Sequence, residues 1–258
     1  MGTNRLGDLP RTKPWRRIVA AFVAGAGAAQ VAGEALDLLA GGLGRLADDP
    51  VVVEAVRLLM LLPAAAKGPD FAGALRGVGV DAPDGPDFCD VLAAVSGRLD
   101  AVTPAGRGRS DAGEVAQAAL SEALAETVGR SLGGLFDATP GDARRAFARQ
   151  SSDAHFGTLA GCFFGKFTEK WLQSFLSREL PLHVGPGQRL PSLGDYGQFS
   201  GDLRVHCRET AKVVEGFAAE WRSREAFRQQ GEIDRGRVKE FVYGAFAKLT
   251  RAMTPGAR

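Results

Sequence analysis

Apolar side chains recur with the period of an α-helix through residues 151–180, a stretch that carries much of the chain's aromatic mass. On a helical wheel, one broad arc holds seven large apolar side chains: Phe156, Leu159, Phe163, Phe164, Phe167, Trp171 and Phe175. Lys166, Glu169 and Gln173 take the other side. The pattern predicts one long helix that is buried along most of its length and around which the chain is organised.

Three glycines, Gly157, Gly161 and Gly165, recur every four residues beside the aromatic arc. Each glycine inside a helix costs about 1 kcal/mol relative to alanine, so the repeat needs a compensating use. A ridge without side chains lets another backbone approach closely, and we expect a second helix to cross here. Membrane helix pairs use the same spacing, but Lys166 and Glu169 interrupt any apolar run of spanning length.

Helical periodicity and capping signals cover most of the remaining chain. Besides the central helix, helical patterns lie at residues 15–46, 51–62, 87–99, 111–132, 139–149, 203–221 and 238–253. No alternating or β-branched run of strand length accompanies them. The sequence therefore predicts an all-α fold, an irregular multi-helix bundle of about eight helices around the long central helix at 151–180.

Two segments are predicted to lie outside the helices. Residues 103–113, TPAGRGRSDAG, have the composition of an exposed linker, which would divide an N-terminal helical sub-bundle at 1–102 from a C-terminal one at 110–258. A single domain is also compatible with this length. Residues 1–14 hold two prolines and little that is apolar, so we expect a mobile arm.

The two arginines at 16 and 17 precede an apolar run at 18–29, an order that resembles a secretory or twin-arginine signal. The same small-residue pattern continues without a break through Leu36 and Leu43. We therefore expect this segment to form an amphipathic helix of the mature fold.

The net charge of only +2 means that the protein as a whole does not produce a strong electrostatic field. An electrostatic contact with nucleic acid or an acidic membrane would have to be local. Cys89, Cys162 and Cys207 are odd in number and far apart, which indicates reduced, buried thiols rather than a disulfide framework. Cysteine usage thus favours a cytoplasmic location.

Catalytic and metal-binding motifs are missing from the sequence. The only histidines are His155, His183 and His206, and none lies in a ligand or catalytic pattern. We expect no metal and no cofactor, and we lean against an enzyme. A nonstandard active site would lie under the proline- and glycine-rich loop predicted at 181–201, where the candidate catalytic residues are His183, Asp195 and Tyr196, with Arg189 as a binding residue.

Basic residues form a local pattern near the C-terminus. Arg204, Arg208 and Lys212 recur every four residues on one helix face, and Arg222 is predicted to lie on the same side. We call Arg204, Arg208 and Lys212 the basic stripe. It could bind phosphates or an acidic protein surface, or be a solvated face with glutamates as ion-pair partners.

These observations favour a non-enzymatic helical interaction or adaptor subunit of a larger protein assembly, whose partner is another protein. Besides the missing motifs, this interpretation depends on the helix predicted at 51–62, which has almost no polar face. One alternative is a nucleic-acid-associated subunit that uses the basic helix face at 204–222. A second is an enzyme with a site under the 181–201 loop. We expect no membrane partner.

Overall fold

The computed structural model describes residues 13–40, 43–104, 106, 108–133, 138–228 and 234–254. Within these ranges the chain is an all-α bundle with a long central helix, as predicted. The α-helices are α1 (Lys13–Val23), α2 (Ala28–Ala40), α3 (Leu43–Asp48), α4 (Pro50–Ala65), α5 (Phe71–Gly77), α6 (Phe88–Ala101), α7 (Asp111–Thr127), α8 (Pro140–Arg149), α9 (Asp153–Glu179), α10 (Leu193–Arg228) and α11 (Arg235–Met253). Two short 3-10 helices, Gly129–Leu132 and Leu180–His183, follow α7 and α9.

The two longest helices, α9 and α10, pack antiparallel. Gly157 faces Glu215 and Ala219, whereas Gly165, two turns later, faces Ala211. A Cβ atom added at Gly157 would lie 2.6 Å from the carbonyl oxygen of Glu215, and one at Gly165 would lie 3.1 Å from the Cβ atom of Ala211. The glycine ridge therefore lets the two backbones approach closely, which confirms the predicted crossing.

Five of the seven side chains in the aromatic arc of α9 are buried, and several of its rings contact α11. The Phe246 ring centroid of α11 lies 5.0 Å from those of both Phe164 and Phe167, in edge-to-face contact. Toward the other end of α9, the Phe175 ring centroid lies 6.0 Å from that of Trp15 in α1. The central helix thus joins elements from both ends of the chain.

The nearly all-apolar helix α4 is buried on all sides. Its cap is Asp49, which accepts hydrogen bonds from the backbone N–H groups of Val51 and Val52 at 2.9 and 3.0 Å. The helix packs against α7, α8 and α11. It continues past Pro63 to Ala65, so the predicted end at Leu62 is three residues short. This burial removes α4 as a candidate interaction surface, and the adaptor interpretation loses that support.

A single carboxylate in the core, Glu54, connects three helices. Glu54 is 0% exposed and accepts hydrogen bonds from Arg57 Nε at 2.9 Å and from Arg98 Nε of α6 at 2.6 Å. Arg235 Nη2 of α11 lies 3.7 Å away. Burial raises the pKa of the Glu54 carboxyl, but the hydrogen bonds and positive charges of Arg57 and Arg98 outweigh burial and leave the pKa below its usual value.

The structure corrects three predicted boundaries. The helix predicted at 15–46 is three helices, because Gly25 has a φ of 108° and interrupts the first, and α2 ends at Ala40. The helix predicted at 111–132 ends at Thr127, and its cap is Ser110 rather than Asp111. These breaks and the separate helix α5 account for eleven helices where about eight were predicted.

Buried side chains from both predicted sub-bundles belong to one hydrophobic cluster, which runs from Trp15 to Met253. At the predicted linker, Arg109 forms ion pairs with Asp100 and Glu114. The division at 102 and 110 stays a prediction. Most of the predicted mobile arm, residues 1–12, lies outside the described residues.

Candidate functional site

A cleft of about 390 Å³ opens where α7, α9 and α10 meet. Five basic side chains line it: Arg130, Lys166, Arg204, Arg208 and Lys212. Three carboxylates line it as well: Glu126, Glu169 and Glu215. The whole basic stripe, predicted from its four-residue spacing, therefore lies at one wall of a concave site.

Part of this charge is already paired within the cleft. Lys166 Nζ lies 2.8 Å from Glu126 Oε2, and Arg130 Nη1 lies 3.5 Å from the other oxygen of that carboxylate. Arg204 Nε donates to Glu169 Oε1 at 3.0 Å. These contacts join α7 to α9 and α9 to α10, so they fix the shape of the cleft while leaving other charges available.

The remaining two cations of the basic stripe face solvent. Arg208 Nε lies 3.7 Å from Glu209, and Lys212 also contacts Glu209, which is on the same helix. The side chains of Arg204, Arg208 and Lys212 are 65, 69 and 61% exposed. An incoming anion can therefore reach all three without displacing a buried group.

The fourth predicted binding residue, Arg222, has a different environment and does not line the cleft. Its guanidinium carbon lies 4.9 Å from the ring centroid of Phe156, and its Nε lies 3.9 Å from Asp153. Burial lowers the pKa of Arg222, and the charge of Asp153 opposes that shift. Arg222 therefore anchors the end of α10 to the start of α9.

Gln150, His155 and Cys162 also line the cleft. Gln150 is only 5% exposed, and its side-chain amide makes no hydrogen bond to any described residue. His155 Nδ1 lies 2.7 Å from Ser152 Oγ, the cap of α9. Burial raises the pKa of the Cys162 thiol to about 11, which disfavours a reactive thiolate near neutral pH. Cys162 is therefore not placed to act as a nucleophile near neutral pH.

The predicted loop at 181–201 is shorter in the structure, because α10 already begins at Leu193. Ser192 and Asp195 exchange hydrogen bonds at its start, from Ser192 Oγ to Asp195 Oδ2 at 2.6 Å and from Asp195 N to Ser192 Oγ at 3.2 Å. Before them, Gly185 N donates to the carbonyl oxygen of Leu190 at 2.8 Å and closes a turn. The prediction of a twenty-residue loop is wrong.

The four candidate residues of this segment are not linked to one another. Within the described ranges, no hydrogen bond or ion pair joins His183 to Asp195 or Tyr196. Arg189 Nε donates to the carbonyl oxygen of Phe22 at 3.2 Å, and the His183 ring centroid lies 5.8 Å from that of Phe22. Arg189 and His183 thus hold α1 in place, and none of the four lines the cleft.

The cleft contains residues that sequence reasoning did not single out, namely Gln150, Arg130 and Glu126. The glycine ridge was the one signal for it, since a close helix crossing implies a groove beside it. No group of three or more His, Cys, Asp or Glu side chains that could hold a metal ion occurs in the part of the chain that the structure describes. None of the helices described there has an apolar run long enough to cross a membrane.

Comparison with known proteins identifies no relative of this chain. A scan against protein-family models, a search of curated proteins and a search of solved structures each find no match for the chain.

Proposed function

We propose that this protein is a non-enzymatic interaction subunit that binds an acidic segment of a partner protein along the basic stripe, at the mouth of the cleft. The observation that carries the proposal is the exposed alignment of Arg204, Arg208 and Lys212 beside a concave surface. Arg204 and Lys212 are eight residues apart, or about 12 Å along the helix axis. A partner segment of a few acidic residues matches that length.

Apolar side chains next to the stripe favour a protein partner. Val205 and Val213 are both exposed on α10, each one position after a residue of the basic stripe. Positions four apart form rows along a helix, so Val205, Glu209 and Val213 form the row beside the cations, with Glu209 between the two valines. An amphipathic acidic segment would satisfy both rows.

A nucleic-acid partner is the weaker alternative. Glu169, Glu209 and Glu215 lie among the cations, and each would repel a phosphate backbone. A flexible acidic peptide can bend its carboxylates away from them, whereas the spacing of phosphates on a duplex is fixed. A cytoplasmic location belongs to the same proposal, because Cys89, Cys162 and Cys207 are free thiols.

The test uses fluorescein-labelled hexaglutamate and a short labelled duplex DNA, measured by fluorescence anisotropy at low and at physiological salt. We expect hexaglutamate to bind more tightly than DNA. Replacing Arg204, Arg208 and Lys212 together with glutamine should weaken hexaglutamate binding about tenfold, because each exposed charge contributes roughly 0.5 kcal/mol. Glutamine keeps the helix propensity of α10 and avoids a repulsive contact with Glu169.

A matched control replaces three exposed basic residues elsewhere, Lys67, Arg145 and Arg251, with glutamine. This variant has the same net charge as the stripe variant, and its hexaglutamate affinity should stay close to that of the parent. Equal weakening in both variants would mean that net charge alone attracts the peptide. Tighter binding of DNA than of hexaglutamate would favour the nucleic-acid alternative instead.

A further inference from the structure

We propose that the cleft is a pocket for one acidic side chain of that segment, whose carboxylate lies between Arg130, Arg208 and Lys212 while the peptide amides beside it bind Gln150 and Glu215. The inference rests on the proposed function and names what the concave part of the same site recognises. The rows of α10 alone would bind any acidic surface. A pocket adds a requirement for one carboxylate at one position.

Positive charge is in excess in the cleft, because five basic side chains and three carboxylates line it. Arg130, Lys166 and Lys170 share the two carboxylates of Glu122 and Glu126, so positive charge is in excess on the α7 side. The pKa of the Glu126 carboxyl is held below its usual value, mainly by the hydrogen bond from Lys166. The charge of Arg208 on α10 contributes to the same shift. Cations on both walls therefore converge on the space between them, which suits an anion.

Gln150 and Glu215 place two groups that can form hydrogen bonds in the lining of the cleft. Gln150 is 5% exposed and its side-chain amide makes no hydrogen bond to a described residue, although its N and O atoms are not fully enclosed. Glu215 lines the cleft without an ion pair in the same part of the chain, and its side chain lies against Gly161. Both groups can hydrogen-bond a ligand in the cleft, and a peptide backbone offers an N–H donor and a C=O acceptor at each residue.

The size of the cleft sets what it can hold. Its volume of about 390 Å³ lies at the small end of the range for ligand sites, roughly 300–1,000 Å³. That space admits one side chain with its adjoining backbone but not a whole helix. The rest of the partner segment must then lie outside, along the stripe.

Alkylation of cysteine tests occupancy of the pocket directly. Cys162 lines the cleft and is partly accessible, whereas Cys89 is exposed on α6 and serves as an internal reference. Because the pKa of the Cys162 thiol is raised to about 11, the full chain is treated with iodoacetamide at about pH 9, with and without saturating hexaglutamate. The modified peptides are followed over time by mass spectrometry. We expect hexaglutamate to slow alkylation of Cys162 severalfold and to leave that of Cys89 unchanged, while hexaglutamine protects neither.

A second measurement uses Gln150→Leu, which replaces the side-chain amide with an apolar side chain of similar size. Its affinity for hexaglutamate should fall about fivefold, with an unchanged unfolding midpoint. Hexaglutamate that binds by anisotropy but leaves Cys162 unprotected would overturn the pocket and leave the proposed function standing. Absence of hexaglutamate binding to the parent protein would instead overturn the proposed function.

Discussion

At the scale of single residues, the buried carboxylate of Glu54 makes the stability of the core depend on charge. A carboxylate with no exposed surface loses the hydration that would stabilise it in water. Here the loss is offset by hydrogen bonds from Arg57 and Arg98 and by the more distant charge of Arg235. Arg57 also donates to the carbonyl oxygen of Val78 at 2.6 Å, so the network extends into the backbone. Removing the negative charge leaves the part-buried guanidinium groups of Arg57 and Arg98 without their ion-pair partner.

We predict that Glu54→Gln lowers the free energy of unfolding by about 3–5 kcal/mol near pH 7, because it breaks a buried ion pair on one side only. The folded-state pKa of Glu54 lies below the usual 4.5, so its contribution is complete above pH 4.5 and is lost as pH falls from there through the folded-state value. Urea unfolding from pH 7 downward should therefore show the difference between parent and variant shrinking below pH 4.5.

The matched control is Asp84→Asn, which breaks the exposed ion pair that Arg76 Nη1 makes with Asp84 at 3.0 Å. Solvent screens that pair, so the change should be within about 1 kcal/mol. A Glu54→Gln variant as stable as this control would mean that the buried network contributes no net stability.

At the scale of helices, the α9–α10 crossing depends on the missing side chains of the glycine ridge. We predict that Gly157→Ala lowers the free energy of unfolding by about 1–2 kcal/mol, although alanine favours the helix by about 1 kcal/mol. The added Cβ meets a backbone carbonyl, which cannot move away without moving α10. Urea unfolding measures the change.

Gly216→Ala on α10 provides the control, because nothing lies within 4 Å of its added Cβ atom. It should stabilise the protein by up to about 1 kcal/mol through helix propensity alone. If both alanine variants stabilise the protein, the crossing is looser than its geometry indicates.

Signals within a few residues were enough to predict several helix starts. Asp87 and Asp90 exchange hydrogen bonds at 2.8 and 3.0 Å at the start of α6, and Thr139 and Asp142 form the same capping box at α8. The start of α10 at residues 193–201 was not predicted, because the glycines there lower helix propensity. Burial of Phe199 in the core outweighs that preference.

The cleft could not be predicted in the same way. The glycine ridge indicated that some helix crosses α9, but its spacing does not identify the partner or the direction in which it runs. Arg130 and Gln150 meet Arg208 only through the antiparallel alignment of α9 with α10 and the placement of α7 beside α9. Such contacts depend on tertiary packing, which short-range patterns do not encode.

At the scale of the whole molecule, α4 packs against α7, α8 and α11, which all belong to the second predicted sub-bundle. We therefore predict one cooperative unfolding transition. Trp15 reports on the first segment, and Trp171 and Trp221 report on the second. A Trp15→Phe variant and a Trp171→Phe, Trp221→Phe variant, followed by fluorescence in urea, should give coincident midpoints that also match circular dichroism.

Each variant can shift the overall unfolding midpoint, and circular dichroism measures that shift. If the two fluorescence midpoints still differ after this correction, the chain consists of two independent sub-bundles with a boundary near residues 103–113. Residues 110–258 expressed alone provide a further check. That fragment would expose the surfaces that α4 covers, so we expect it to lack a cooperative transition.

The burial of α4 also constrains how the chain is made. A ribosome releases the N-terminal helices first, whereas α7, α8 and α11 follow later, and Arg235 near Glu54 lies on the last of them. Throughout most of synthesis, an apolar helix with an incompletely paired carboxylate lacks its final cover. We therefore expect a product terminated before α11 to aggregate rather than persist as a smaller folded protein.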